Sequence, residues 1–317
     1  MKRIAALISV WILSIVAAAP GMAQGGQPTA APGGQAAPAA QTSAAAPVKR
    51  PPQTKTDAEY AAWKTADASS RPTPEEQAAA QKNPADAQQL APTVAARTEK
   101  AADDFAVKFP DSEVKVLLYK TAMRNYQNIN NAEKTEAMGR KVLALDGDDP
   151  EALVTVSDVI TQRTRDSDLD RDQRYDEAMK IAQRALTTVD TDLGVPAGTP
   201  QERIDAYKAG LRSQAYSTMG AISYAKADYA GAQSNFQKAI DAFPSQPFPA
   251  DVLRLALALD KQQKYDEALK SASRAVELTQ EGTPIGTSAR RERDRLQQLT
   301  TGTAGHAASP QAQPPKN

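Results

Sequence analysis

Four aspartates alternate at Asp166, Asp168, Asp170 and Asp172, and Glu177 stands eleven residues after Asp166. Oxygen ligands at the first, third, fifth and last positions are what a calcium loop of about 12 residues presents, so this stretch is the one cluster with metal-site spacing. Two features oppose a cation. The sixth position needs glycine for a sharp turn and holds Arg171, and Arg163, Arg165 and Arg174 add positive charge around it. The same residues suit a solvated, ion-paired connection between two helices. No metal ligand set is assigned from the sequence, and a calcium-responsive module stands only as an alternative.

Other reactive chemistry is sparse. His306 is the single histidine of the chain and falls in a low-complexity tail, where it is neither a general base held in a pocket nor a sufficient metal ligand. There is no cysteine, which excludes a disulfide, Cys-ligated zinc, an attached c-type haem and a lipid-modified cysteine. Gly-x-Ser-x-Gly and Gly-x-x-x-x-Gly-Lys runs are absent. The expectation is a chain with no catalytic residue and no cofactor. A helical hydrolase or carbohydrate-active protein working through carboxylates is the alternative, yet nothing singles out a pair among the 38 acids. Those acids balance 38 Lys and Arg, so there is no electrostatic case for nucleic acid.

The elements that would position any site are helices with a recurring stripe. Residues 175–186, 229–240 and 265–276 read YDEAMKIAQRAL, YAGAQSNFQKAI and YDEALKSASRAV. Each is Tyr-x-x-Ala-x-x-x-(Ala or Phe)-x-(Arg or Lys)-Ala-(Leu, Ile or Val). In the middle copy Tyr229, Ala232, Phe236, Ala239 and Ile240 follow at steps of 3, 4, 3 and 1, which places them on one face of an α-helix. Alanines on such a face let a neighbouring helix approach closely, and Tyr229 and Phe236 fill the gaps. Ahead of this copy, 216–227 reads as a second helix carrying Tyr216, Met219 and Gly220, and Pro244 closes the pair.

Residues 213–246 closely resemble a tetratricopeptide repeat (TPR), a helix–turn–helix unit of about 34 residues. The family's slots hold Tyr216, Met219-Gly220, Ser223, Ala232 and Phe236, Ala239 and Pro244. Ser223 departs from the expected tyrosine, and Tyr224 is next to it. Looser units cover 116–149 (Tyr119, Ala122-Met123, Tyr126, Val142), 150–192 (Leu153, Ile160, Tyr175, Ala178, Ala182, Ala185) and 249–282 (Val252, Leu255-Ala256, Tyr265, Ala268, Ala272, Ala275). A non-repetitive bundle would not repeat period and small-residue positions together. The resemblance implies an all-α fold: a right-handed α-solenoid of antiparallel helix pairs. It would have about four TPR-like units, a degenerate unit over 56–115 and a capping helix over 283–300.

In such a stack the first helix of each pair lines a concave side. The resemblance then places Lys120, Arg124, Gln127 and Asn128 of the first unit in the groove. It adds Asp158 and Thr161 of the second, Ser217 and Tyr224 of the third, and Leu253, Leu257 and Lys261 of the fourth. This mixture suits an extended peptide or a protein edge. The expected function is a non-enzymatic protein–protein interaction scaffold with a protein or peptide partner.

The ends are compositional. Lys2-Arg3, an apolar run from Ile4 to Ala19, and small residues at Gly21-Met22-Ala23 have the layout of a signal peptide cut after Ala23. The run is short for a membrane span of about 20 residues, although an uncleaved anchor is the alternative. The mature chain is expected to be periplasmic or secreted, with no membrane span. Residues 24–55 and 301–317 read as disordered, the former as a Pro/Ala/Gly/Gln-rich linker. Helix starts are expected at Thr56 and at Thr73-Pro74-Glu75-Glu76, and a helix over Pro92–Phe109. After the break at 190–200 a long helix runs from Pro200 to about Ala225, either overhanging the stack or bending near Gly210. Whether 162–174 is helix or loop is left open.

Overall fold

The protein is described from a computed structural model covering residues 49–196 and 198–306. The expected signal peptide, the linker up to residue 48 and the tail after residue 306 lie outside the described residues. Those residues form helices α1 (Asp57–Ala68), α2 (Pro74–Lys82), α3 (Pro84–Lys108), α4 (Lys115–Asn128), α5 (Ala132–Leu145) and α6 (Pro150–Arg163). They continue with α7 (Arg171–Thr188), α8 (Gln201–Ala225), α9 (Tyr229–Ala242), α10 (Pro249–Lys261), α11 (Tyr265–Glu277) and α12 (Pro284–His306). No strand occurs among them, and none of the helices is long and apolar enough to cross a membrane.

From α3 onward each helix packs on the next, and α6 also packs on α8 and α10 on α12. This is an α-solenoid of antiparallel pairs: α4–α5, α6–α7, α8–α9 and α10–α11. Three of the pairs turn in the same way. Asn130, Ala227 and Gln263 take φ of 56°, 60° and 62°. The following N–H of Asn131, Asp228 and Lys264 bonds back five residues to Tyr126, Ser223 and Leu259, at 3.0, 2.9 and 3.1 Å. That left-handed closure satisfies carbonyls at the end of each first helix. In the second unit α6 stops at Arg163 and α7 starts at Arg171, so most of 162–174 is a loop.

Caps fix the starts. Thr73 and Glu76 form a reciprocal capping box on α2. Asn131, Asp149 and Asp228 each accept from a backbone N–H in the first turn of α5, α6 and α9. Pro92, read from the sequence as a helix start, is instead inside α3. Asn83 caps that helix and Pro84 occupies its first turn, a stronger start than Pro92 provides.

The core follows the stripes. Ala178, Ala182 and Ala185 of α7, Ala232, Phe236 and Ala239 of α9, and Ala268, Ala272 and Ala275 of α11 are all buried. A side chain the size of Phe236 contributes about 1.5–3 kcal/mol by leaving water. At the far end Ala289 and Leu296 of α12 close the last apolar cluster, and Arg295 pairs with Asp260 of α10 at 2.6 Å. The helix runs to His306, past the residue-300 boundary expected of the cap. Residues 49–55, expected to belong to a disordered linker, are held against the helices by ion pairs to Glu113 and Asp146, which replace the apolar burial this stretch lacks.

Candidate functional site

The first helices α4, α6, α8 and α10 carry a seam of polar side chains in two overlapping tiers. In the first tier the Lys120 ammonium of α4 is buried, 2.6 Å from Asp149 and 3.1 Å from Glu151 at the start of α6. Arg124, one turn further along α4, donates to both oxygens of Glu151 through Nε and Nη2. The Tyr207 hydroxyl, from the exposed N-terminal turns of α8, lies beside the same pair. Burial pushes the Glu151 carboxyl up, but Lys120 and Arg124 outweigh it and hold its pKa at about 2. Burial beside Glu151 pushes the Tyr207 phenol well above its ordinary value. α8 is one continuous helix through Gly210. No break interrupts it there, and it packs against α6 as well as against α7 and α9.

The second tier joins α6, α8 and α10. Ser217 of α8 donates to Asp251 of α10 at 2.5 Å, and Arg254 donates to Asp251 at 3.1 Å and to Ser217 at 3.2 Å. Asp158 of α6 accepts from Gln162 at 2.7 Å. It also feels Gln214, Arg254 and Asp251. Burial raises the pKa of both Asp158 and Asp251, against the pull of Arg254.

The eleven expected groove residues divide accordingly. Lys120 and Leu253 are buried and are not groove contacts, because α6 supplies counter-charges to one and the α10–α12 cluster packs around the other. Arg124 is exposed along one side, with its guanidinium committed to Glu151. The Thr161 hydroxyl is bonded to the Ser157 carbonyl at 2.8 Å. Tyr224 and Leu257 are half-buried against the last core cluster, with the Tyr224 ring edge-on to Tyr229 at 5.3 Å. Asp158 and Ser217 belong to the second tier. Gln127 is half-buried, and Asn128 and Lys261 are exposed, at the C-terminal ends of α4 and α10. Sequence reasoning missed Asp149, Glu151, Tyr207, Asp251 and Arg254. The available signal was the acid beside the helix-starting proline in Asp149-Pro150-Glu151 and Pro249-Ala250-Asp251, which puts carboxylates in the first turn of α6 and α10.

The alternating aspartates do not converge. Glu177 points to Arg140 of α5 at 2.8 Å, the Asp168 carboxylate accepts from the Arg165 backbone at 2.8 Å, and Asp172 pairs with Arg171 at 3.0 Å. Among the described residues no three acidic or histidine side chains gather as a metal would require. Two pairs of acids come together on the seam: Asp149 and Glu151, both neutralised by Lys120, and Asp158 and Asp251, of which Asp251 is only 2% exposed and has two donors on one oxygen. Asp251 is spent on packing α8 against α10 and is not presented to a substrate.

No family model matches the chain, and none of the curated proteins matches it. Among solved structures it is similar to a thermophilic TPR protein of Thermus thermophilus, at 13% identity and a TM-score of 0.43, covering 65% of this chain and 92% of that one. It is also similar to the assembly chaperone of RpL4, at 10% identity and a TM-score of 0.37, covering 69% and 95%. The chain's own geometry is more specific, with antiparallel pairs, three turns in matching register and a buried small-residue stripe on alternate helices. This chain is an all-α, TPR-like helical repeat protein.

Proposed function

We propose that the chain is a non-enzymatic protein-interaction scaffold, exported to the periplasm or secreted, that holds a peptide or protein edge along its first helices. The observation that carries this reading is the stack of first helices α4, α6, α8 and α10, which carry exposed or half-buried polar groups such as Gln127, Asn128 and Lys261. Extended peptides are recognised through such mixtures of amide, charged and apolar side chains on a preformed surface. The signal-like N-terminus supports export.

The test is a cross-linking pull-down with mass spectrometry from envelope extract, comparing the wild type with Gln127→Ala/Asn128→Ala/Lys261→Ala. These positions carry little of the fold, so the helical signal and melting temperature should stay unchanged. Loss of a specific partner in the variant supports the reading. An identical partner list in both samples removes the groove from it. N-terminal sequencing of the periplasmic form should begin at Gln24, and a retained Met1 would overturn the cleaved-export part.

A further inference from the structure

Residues 49–55, Lys-Arg-Pro-Pro-Gln-Thr-Lys, cross three successive inter-unit turns on one edge of the stack. At the turn after α7, the Lys49 backbone N–H donates to the Thr191 carbonyl at 3.1 Å. The Lys49 ammonium binds Asp146 at the end of α5 and lies 3.6 Å from Asp192. At the α3–α4 turn, Arg50 Nη2 sits 3.0 and 2.9 Å from the two oxygens of Glu113, and the Gln53 N–H adds a third bond to that carboxylate at 3.2 Å. Lys55 donates to the Asp111 carbonyl at 2.7 Å and, through its backbone, to Glu59 of α1 at 2.6 Å.

Pro51 and Pro52 restrict the backbone between these anchors, which lowers the entropy lost on docking. The charges are complementary. Two cations face Glu113, Asp146 and Asp192, with Asp148 close enough for Lys49 to lower its pKa after the larger effect of Arg184. Without the segment, these acids would form a like-charged edge on three connected turns. We propose that residues 49–55 are an intramolecular strap. It clips the N-terminal helices and the first two units together along their turn edge by occupying an acidic site that fits a short, basic, proline-bearing extended segment. The strap stands apart from the proposed groove, since its anchors are turns and not the first-helix seam.

The pairs are exposed, so salt should release them. The experiment uses the full chain in two measurements. Zero-length carbodiimide cross-linking at low salt, on a mixture of isotopically light and heavy chains, should join Lys49 to Asp146 or Asp192 within one chain. Amide hydrogen exchange should then compare wild type with Lys49→Glu/Arg50→Glu. Exchange at 111–117, 146–150 and 191–196 should be about 3- to 10-fold faster in the variant. The turns at 226–230 and 262–266 should not change, and wild type in 1 M salt should approach the variant. Lys49→Gln/Arg50→Gln should show the same pattern at smaller size. No intrachain cross-link, cross-links only between light and heavy chains, or equal exchange at low salt would each overturn the strap.

Discussion

Gly220 of α8 faces Phe236 of α9 so closely that a Cβ on Gly220 would stand 2.7 Å from both Cδ1 and Cε1 of the ring. The pair ties the second helix of the third unit to the first, and neither residue can change size alone. Gly220→Ala should lower stability by about 1–3 kcal/mol in urea unfolding. Gly210, in the same helix, has nothing within 4 Å of an added Cβ. There alanine should add up to about 1 kcal/mol through helix propensity. Equal effects at the two positions would contradict the close approach.

Glu151 sets an acid limit on the first two units. Its folded pKa of about 2 lies below the ordinary 4.5. The stability it contributes is therefore present above pH 4.5 and is lost as pH falls toward 2. Glu151→Gln should cost about 3 kcal/mol at pH 7, because Lys120 loses one of its two buried counter-charges and Arg124 its partner. The gap between wild type and variant, followed by denaturant unfolding at a series of pH values, should close below pH 4.5. A constant gap would assign the loss to packing instead of charge.

Asp158 has the opposite sign. Burial raises its pKa above 3.8, with Asp251 adding to the rise and Gln162, Gln214 and Arg254 opposing it. Ionising it in the folded chain is unfavourable, so its cost grows as pH rises through the folded pKa and vanishes below 3.8. Asp158→Asn keeps an oxygen to accept from Gln162. The variant should be more stable than wild type at pH 7, and the advantage should shrink toward pH 4. A destabilised variant at pH 7 would mean that Arg254 depends on Asp158 more than burial penalises it.

These contrasts explain what was legible in the chain. The stripe Tyr175, Ala178, Ala182, Ala185 announces its own burial, because period and residue size are local properties. The fate of Lys120 was not legible in this way, since a lysine on a first helix looks exposed until the first turn of α6 brings Asp149 and Glu151 beside it. Tyr207 was hidden for a similar reason: its role depends on where the first turns of α8 lie relative to Glu151 and Arg124. The docking of Lys49 and Arg50 is longer-ranged still: a stretch whose composition points to disorder rests on Glu113, Asp146 and Asp192, far along the chain.

The register itself can be tested at the left-handed turns. Ala227 holds φ 60°, a conformation that costs a residue with a Cβ about 1–2 kcal/mol. Ala227→Gly should recover part of this, about 0.5–1 kcal/mol after the glycine's larger unfolded-state entropy is counted. Asn130→Gly, at φ 56°, should gain less, because asparagine tolerates that region. Ala227 is exposed whereas Ala232, five residues on, is fully buried in α9. Ala227→Leu should therefore have little effect, while Ala232→Leu should cost about 1–3 kcal/mol by overpacking the α8–α9 contact. The four variants measured together by urea unfolding check the turn and the stripe at once. A loss at Ala227→Leu matching that at Ala232→Leu would place the helix pair out of register.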